Sequence, residues 1–166
     1  MSHSLKEMNQ LNRDAFVDLL GAVYEETPAI AQKVWRHRPF TSISDLHQKM
    51  KAIVEQMTSS EQLALIRAHP ELGANVKMAE ASVREQAGAG LSQMDEAERE
   101  RIGELNAAYQ RKFGFPFVIA VKGYGKVEIL AAFEERLGSG GEEERGRAIA
   151  EINKIARLRL EELIVE

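Results

Sequence analysis

Cysteine is absent from this 166-residue sequence. That absence excludes a disulfide framework, a thiol nucleophile and any thiolate-held metal. Long apolar runs are also missing, and none approaches the roughly 18–20 residues needed to span a bilayer. Basic charge is not in excess: 22 Lys and Arg stand against 26 Asp and Glu, giving a net charge of −4. With the two signs interleaved along most of the chain, there is no continuous basic surface for nucleic acid. The segment from Met1 to Glu7 lacks the apolar core of a secretory signal, and Leu163 to Glu166 carries no peroxisomal address. A cytoplasmic protein without a membrane role is therefore expected.

What is present describes an ordinary soluble globule, 44% hydrophobic and 29% charged. The length suits a single domain, residues 1–166, that buries roughly two-thirds of its unfolded surface. Apolar residues recur at helical spacing almost throughout. Asn12 suits the cap of a helix with Phe16, Leu19, Leu20 and Val23 on one face. Thr27 and Pro28 look like an N-cap and first helical position, with Ile30, Val34 and Trp35 inward and a stop enforced by Pro39. Ser42 or Ser44 opens a helix buried along Leu46, Met50, Ile53, Val54 and Met57. A capping box from Ser59 to Gln62 starts the next, which ends at His69-Pro70.

Periodicity fades between Glu71 and Leu91 and returns after Ser92, with Ile102, Leu105 and Tyr109 on one face. That helix breaks at Gly114 and Pro116. Phe117 to Val121 is the one β-like run; with no partner strand it reads as a buried connector. Val127, Ile129, Leu130, Phe133 and Leu137 mark a further helix. Ile149, Ile152, Ile155, Ala156 and Leu160 mark the last. The expected architecture is a single-domain all-α bundle of about seven or eight helices.

Histidine is the natural source of acid–base chemistry near neutral pH. His3 falls in a terminal segment, His37 between two arginines at a helix end, and His47 on a polar helix side; all three read as structural. His69 differs, because Pro70 restricts its backbone and stiffens the turn through Glu71, Leu72 and Gly73. Ser82 and Glu85, three apart, fit either a capping box or, with Gln86, a polar site containing an acid–base carboxylate. The connector from Phe117 to Val121 has backbone groups that need partners, and an amide-rich small molecule would supply them. Arg157 and Arg159 point in different directions, so one can turn inward and hold a carboxylate by two parallel hydrogen bonds. No His-Glu-x-x-His motif marks a metal site, and Gly88, Gly90, Gly123 and Gly125 form no phosphate loop.

Taken in order, several segments resemble the 2-oxo-4-hydroxy-4-carboxy-5-ureidoimidazoline (OHCU) decarboxylases over nearly the whole chain. They are Trp35 with Arg38-Pro39-Phe40, then His69-Pro70-Glu71-Leu72, then Ser82, Glu85 and Gln86 with Gly90-Leu91. Leu105-Asn106, Tyr109 and Lys112 to Phe117 follow, and the helix from Glu151 to Leu160 closes the set. The resemblance implies an all-α, cofactor-free carboxy-lyase of urate breakdown, often homodimeric, that forms (S)-allantoin and carbon dioxide from a small ureidoimidazoline. It places the catalytic pair at His69 and Glu85. It assigns substrate binding to Pro70, Ser82, Gln86 and Arg159, and to the run Phe117, Ile119, Ala120 and Val121; it implies no metal. Gly73 departs from the alanine of many relatives. The competing expectations are a hydrolase of a related ureide and a non-catalytic helical interaction module.

Overall fold

Side-chain caps set where the first helices begin. A computed structural model describes residues 2–73 and 80–166, with the side chains of Glu80, Ala81, Ser82 and Ser92 outside the description. Helix α1 (Leu5–Gln10) starts where the Ser4 hydroxyl accepts the Glu7 N–H. Helix α2 (Arg13–Leu20) starts at Asn12, whose side-chain oxygen accepts the Ala15 N–H at 2.9 Å. Before α3 (Ala29–Val34) the cap is Pro28 and not Thr27, whose hydroxyl instead donates to the Glu25 carbonyl at 2.8 Å. A 3-10 turn, Trp35–His37, follows, and the chain is extended at Arg38, as the proline after it requires. Trp35 is only half-buried, because its indole N–H reaches the Leu11 carbonyl at 3.0 Å and the Arg38 guanidinium lies 3.9 Å from its ring centre.

Helix α4 (Ile43–Glu55) takes Ser42 as its cap and buries Ile43, Leu46, Met50 and Val54. Helix α5 (Ser59–Ala68) has a capping box one residue earlier than the sequence suggests. Thr58 accepts the Glu61 N–H at 3.1 Å, and the Glu61 carboxylate accepts the Thr58 N–H at 2.9 Å. These bonds hold the Glu61 carboxyl below its usual range, because they favour the charged form.

The chain divides into two compact units, residues up to 68 with 152–166, and residues 69–151. In the first unit a two-residue strand β1 (His3–Ser4) pairs in parallel with β2 (Ile164–Val165), which ties His3 to Ile164. The second unit contains α6 (Glu80–Gly88), a 3-10 turn at Leu91–Gln93, α7 (Glu96–Phe113), α8 (Lys126–Leu137) and the first half of α9 (Gly141–Leu163). Phe117 to Val121 lies between α7 and α8 as an irregular, mostly buried connector, as expected. Nine α-helices are present among the described residues. Two had no apolar stripe marking them in the sequence: α6, in the stretch where periodicity fades, and α1, a short helix that buries only Met8. None of the described helices is long and apolar enough to cross a membrane.

Aromatic packing forms the centre of the second unit. Phe117 stacks on Phe133 with ring centres 3.9 Å apart and planes within 8°. Tyr109 meets both edge-on, at 5.4 and 5.8 Å. Each such pair contributes about 0.5–1.5 kcal/mol beyond its burial. Val127, expected inward, is 78% exposed, since the buried stripe of α8 runs through Ile129, Phe133 and Arg136.

The position of the α5 cap is directly testable. Thr58→Ala should lower the unfolding free energy by about 0.5–2 kcal/mol, as loss of an N-cap does. Ser59→Ala should stay within about 0.5 kcal/mol of the parent. Denaturant titration of both variants gives the comparison, and the reverse order would return the cap to Ser59.

Candidate active site

His69 follows directly on α5 and is buried, and the turn it begins is clamped from two helices. Asn106 of α7 donates its side-chain N–H to the Leu72 carbonyl at 2.9 Å. Gln86 of α6 accepts the Gly73 N–H at 3.0 Å. Both amides are buried, so these bonds are screened little and resist loss. Gly73 has φ +64°, a conformation disfavoured for any residue with a Cβ. A Cβ there would also come within 2.8 Å of the Met94 methyl and 3.3 Å of Ile102. The glycine is thus a requirement of the turn.

Helix α6 includes Ser82, which removes the reading of Ser82 as its N-cap. Ser82 and Glu85 lie on the same side of that helix by spacing, but the expectation that the Ser82 side chain binds substrate lies outside the described side chains. Glu85 is half-buried and Gln86 buried, with side chains about 100° apart around the helix. Part of Gln86's hydrogen-bonding capacity goes to holding Gly73. Pro70 is half-buried.

The connector has partners on alternate residues. The Val118 carbonyl accepts Arg136 Nη1 at 2.6 Å, and the Ala120 N–H donates to Glu151 at 3.1 Å. The Val121 carbonyl closes a turn by accepting the Tyr124 N–H at 3.0 Å. The N–H and carbonyl of Ile119, between the two anchored residues, have no hydrogen-bond partner among the described residues. Arg136 is itself paired with Glu144 and sits 4.4 Å from the Phe117 ring centre. The Glu144 carboxylate also accepts the Tyr109 hydroxyl at 2.6 Å. Burial, and then this bond to Glu144, push the Tyr109 phenol far above its ordinary range, so it remains a donor.

Helix α7 brings turn and connector together. Ile102, Asn106 and Tyr109 are buried on one face at i, i+4 and i+7. Asn106 holds the turn that begins at His69, while Tyr109, less than one helical turn further on, packs against Phe117. His69, Pro70, Glu85, Gln86 and the run from Phe117 to Val121 therefore belong to one packed unit.

Arg159 belongs to the first unit. It is 4% exposed, and its Nη1 donates to Glu25 at 2.9 Å and to the Ala22 carbonyl at 3.2 Å. Arg157 is half-buried and bonds Glu161 at 2.7 Å and Ser44 at 2.8 Å. Of the two arginines, Arg159 is the one that turns inward.

The other histidines differ among themselves. His3 lies 3.4 Å from Glu7, and His37 is exposed. His47, expected on a polar side, is half-buried with Nε2 2.8 Å from the Asn153 carbonyl, so that nitrogen carries the hydrogen. Burial pushes its pKa down in spite of that bond. Sequence reasoning missed Arg136 and Glu144, although each falls on a buried stripe: Ile129, Phe133, Arg136 and Glu144, Ala148, Ile152. A charged residue in register with an apolar stripe was the available signal.

Comparison with known proteins adds an independent line. Residues 9–161 match the family model described as OHCU decarboxylase. A 2-oxo-4-hydroxy-4-carboxy-5-ureidoimidazoline decarboxylase of Halalkalicoccus jeotgali is 43% identical, covering 98% of this chain and 92% of the relative. A uric acid degradation bifunctional protein of Bacillus subtilis is 42% identical; the match takes in 98% of this chain and 33% of that protein. The crystal structure of an (S)-allantoin synthase superposes with a TM-score of 0.81 at 29% identity, over 98% of this chain and 54% of the solved one. A second crystal structure, of an OHCU decarboxylase in the presence of (S)-allantoin, has a TM-score of 0.69 at 22% identity and supports the fold.

Two outcomes follow from the local geometry. Gly73→Ala should destabilise by about 1–2 kcal/mol through the forced left-handed conformation, whereas Gly88→Ala, whose Cβ meets nothing within 4 Å, should be neutral or stabilising. Equal effects in denaturant titrations would remove the strain argument. For His47 the folded state favours neutral imidazole, so stability is full above the unfolded pKa of about 6.5 and is lost as pH falls through the lower folded value. His47→Gln should therefore flatten the loss of stability between neutral pH and pH ~5; an unchanged pH profile would assign that loss to other groups.

Proposed function

This chain belongs to the OHCU decarboxylase family, and from that premise we propose that it converts 2-oxo-4-hydroxy-4-carboxy-5-ureidoimidazoline to (S)-allantoin and carbon dioxide. The observation that carries the reading is the pairing on α7 of a buried histidine turn with a connector whose Ile119 amide groups are available to a ligand. An amide-rich ring with a ureido arm has the complementary donors and acceptors. Residues 1–166 act as one functional domain in this reading, supported by the continuous family match over 9–161. Homodimer formation and a cytoplasmic location complete the proposal, the first supported by the family resemblance.

The chemistry needs an electron sink and three proton movements. When the C4–carboxyl bond breaks, its electron pair forms a double bond to C5 while the ring C=N pair moves onto nitrogen, which is protonated. The ring thus supplies the sink that a cofactor provides elsewhere. The C4 hydroxyl then loses its proton to become the carbonyl, and C5 takes a proton on one face. His69 has the proton-transfer role, with the turn fixed by Asn106 and Gln86 to limit its orientations. Glu85 orients the imidazole or relays the proton. Pro70, Ser82, Gln86 and the amides of Phe117, Ile119, Ala120 and Val121 bind the ring and ureido groups. Arg159 is assigned to an anionic oxygen on motif position; too tight a hold on the departing carboxylate would stabilise the ground state.

Urate oxidase and hydroxyisourate hydrolase can supply the short-lived substrate from urate, and circular dichroism follows the allantoin formed. The parent protein should produce one enantiomer rapidly. His69→Asn should keep the fold and lose about 10²–10⁴-fold in rate together with stereoselectivity. Near-parental rate and selectivity in that variant would remove His69 from the mechanism, and slow racemic product with folded parent protein would remove the activity itself.

A further inference from the structure

Arg136, Glu144 and Tyr109 form a buried charged cluster that the proposed mechanism does not use. Arg136 is 1% exposed and Glu144 0%. Arg136 joins Glu144 through Nε, reaches the Val118 carbonyl through Nη1 and lies over Phe117. Tyr109 adds its hydroxyl to the same Glu144 oxygen. Such a pair is a poor way to gain stability, because removing two charges from water costs much of what their attraction returns. Apolar residues of similar volume commonly serve packing as well or better. The geometry therefore calls for another use.

That use lies in what the guanidinium holds. The connector is neither helix nor paired strand, so its backbone has no ladder to fix it. Arg136 fixes Val118 from α8, and Glu151 fixes Ala120 from α9. Anchors on alternate residues leave the amide of Ile119 between them, and its orientation is then determined from both sides. The planar fork of arginine suits the task, since one group serves a carboxylate and a carbonyl in fixed relative geometry.

We propose that Arg136, oriented by Glu144 and Tyr109, is a positioning residue that sets the Ile119–Val121 amides for the substrate's ring and ureido groups. The proposal rests on the ligand role given above to this connector. It acts on binding geometry, and the proton-transferring groups are unchanged.

The test uses the full chain with Arg136→Met, Glu144→Leu and Tyr109→Phe combined, so that no buried charge or hydroxyl is left without its partner. Arg136→Lys is made alongside, retaining charge but losing the fork. Thermal unfolding, amide hydrogen exchange at Ile119, Ala120 and Val121, and steady-state turnover of the enzymatically supplied ureidoimidazoline are measured on each. The combined variant should unfold near the parental temperature, exchange those amides at least about tenfold faster, and show KM raised about tenfold to a hundredfold with a smaller change in kcat. Arg136→Lys should shift exchange and KM in the same direction by less. Parental exchange and kinetics in a folded combined variant would reduce the cluster to packing and overturn the proposal. Should the combined variant not fold, Arg136→Lys decides alone, with unchanged exchange and KM counting against the proposal. Exchange needs no substrate, so parent protein without turnover would defeat the decarboxylase reading while the exchange comparison still tests the cluster.

Discussion

One face of α7 carries Ile102, Asn106 and Tyr109, and these side chains meet two irregular segments of the second unit. Ile102 lies against Gly73, Asn106 takes the Leu72 carbonyl, and Tyr109 packs against Phe117 and bonds Glu144. A helix face of this kind is an unusual compromise, since an apolar stripe alone would serve burial better. Its amide satisfies the Leu72 carbonyl in the turn, and its phenol bonds Glu144, the carboxylate paired with the arginine that holds the connector. The arrangement therefore converts the rigidity of an 18-residue helix into fixed positions for two irregular segments. Catalytic geometry tolerates little displacement, so irregular segments need such support.

Charge is handled inside both units by pairing. Arg159 and Glu25 neutralise each other in the first unit, and Arg136 and Glu144 in the second. Each arginine also takes a backbone carbonyl from a non-helical segment, Ala22 in one case and Val118 in the other. Buried ion pairs at loops recur here as a means of holding chain that has no ladder of its own. Tyr109 remains a neutral donor because burial and Glu144 both oppose its ionisation.

Helical class, the stops at Pro39 and Gly114, the buried connector and the inward face of the last helix were all legible in the sequence, because each rests on spacing or on a residue with one strong backbone preference. Register at the caps was less so. Thr58 and Ser59 can both start a helix, and only the reciprocal bond with Glu61 separates them. Helix α1 escaped notice because it buries one side chain. At the site, His69 stood out through Pro70, but Arg136 and Glu144 did not, since charge alone suggests solvent. Gly73 read as a departure and proved to be the residue that the turn conformation demands.

The most direct test of one site built on α7 is a titration of isotopically labelled protein with (S)-allantoin, followed by proton–nitrogen correlation spectra. Shifts should appear together at the His69 ring nitrogens and at the Ile119 and Val121 amides, with (R)-allantoin weaker at the same positions. Shifts confined to residues away from the turn and the connector would contradict the arrangement, as would movement of only one of the two segments.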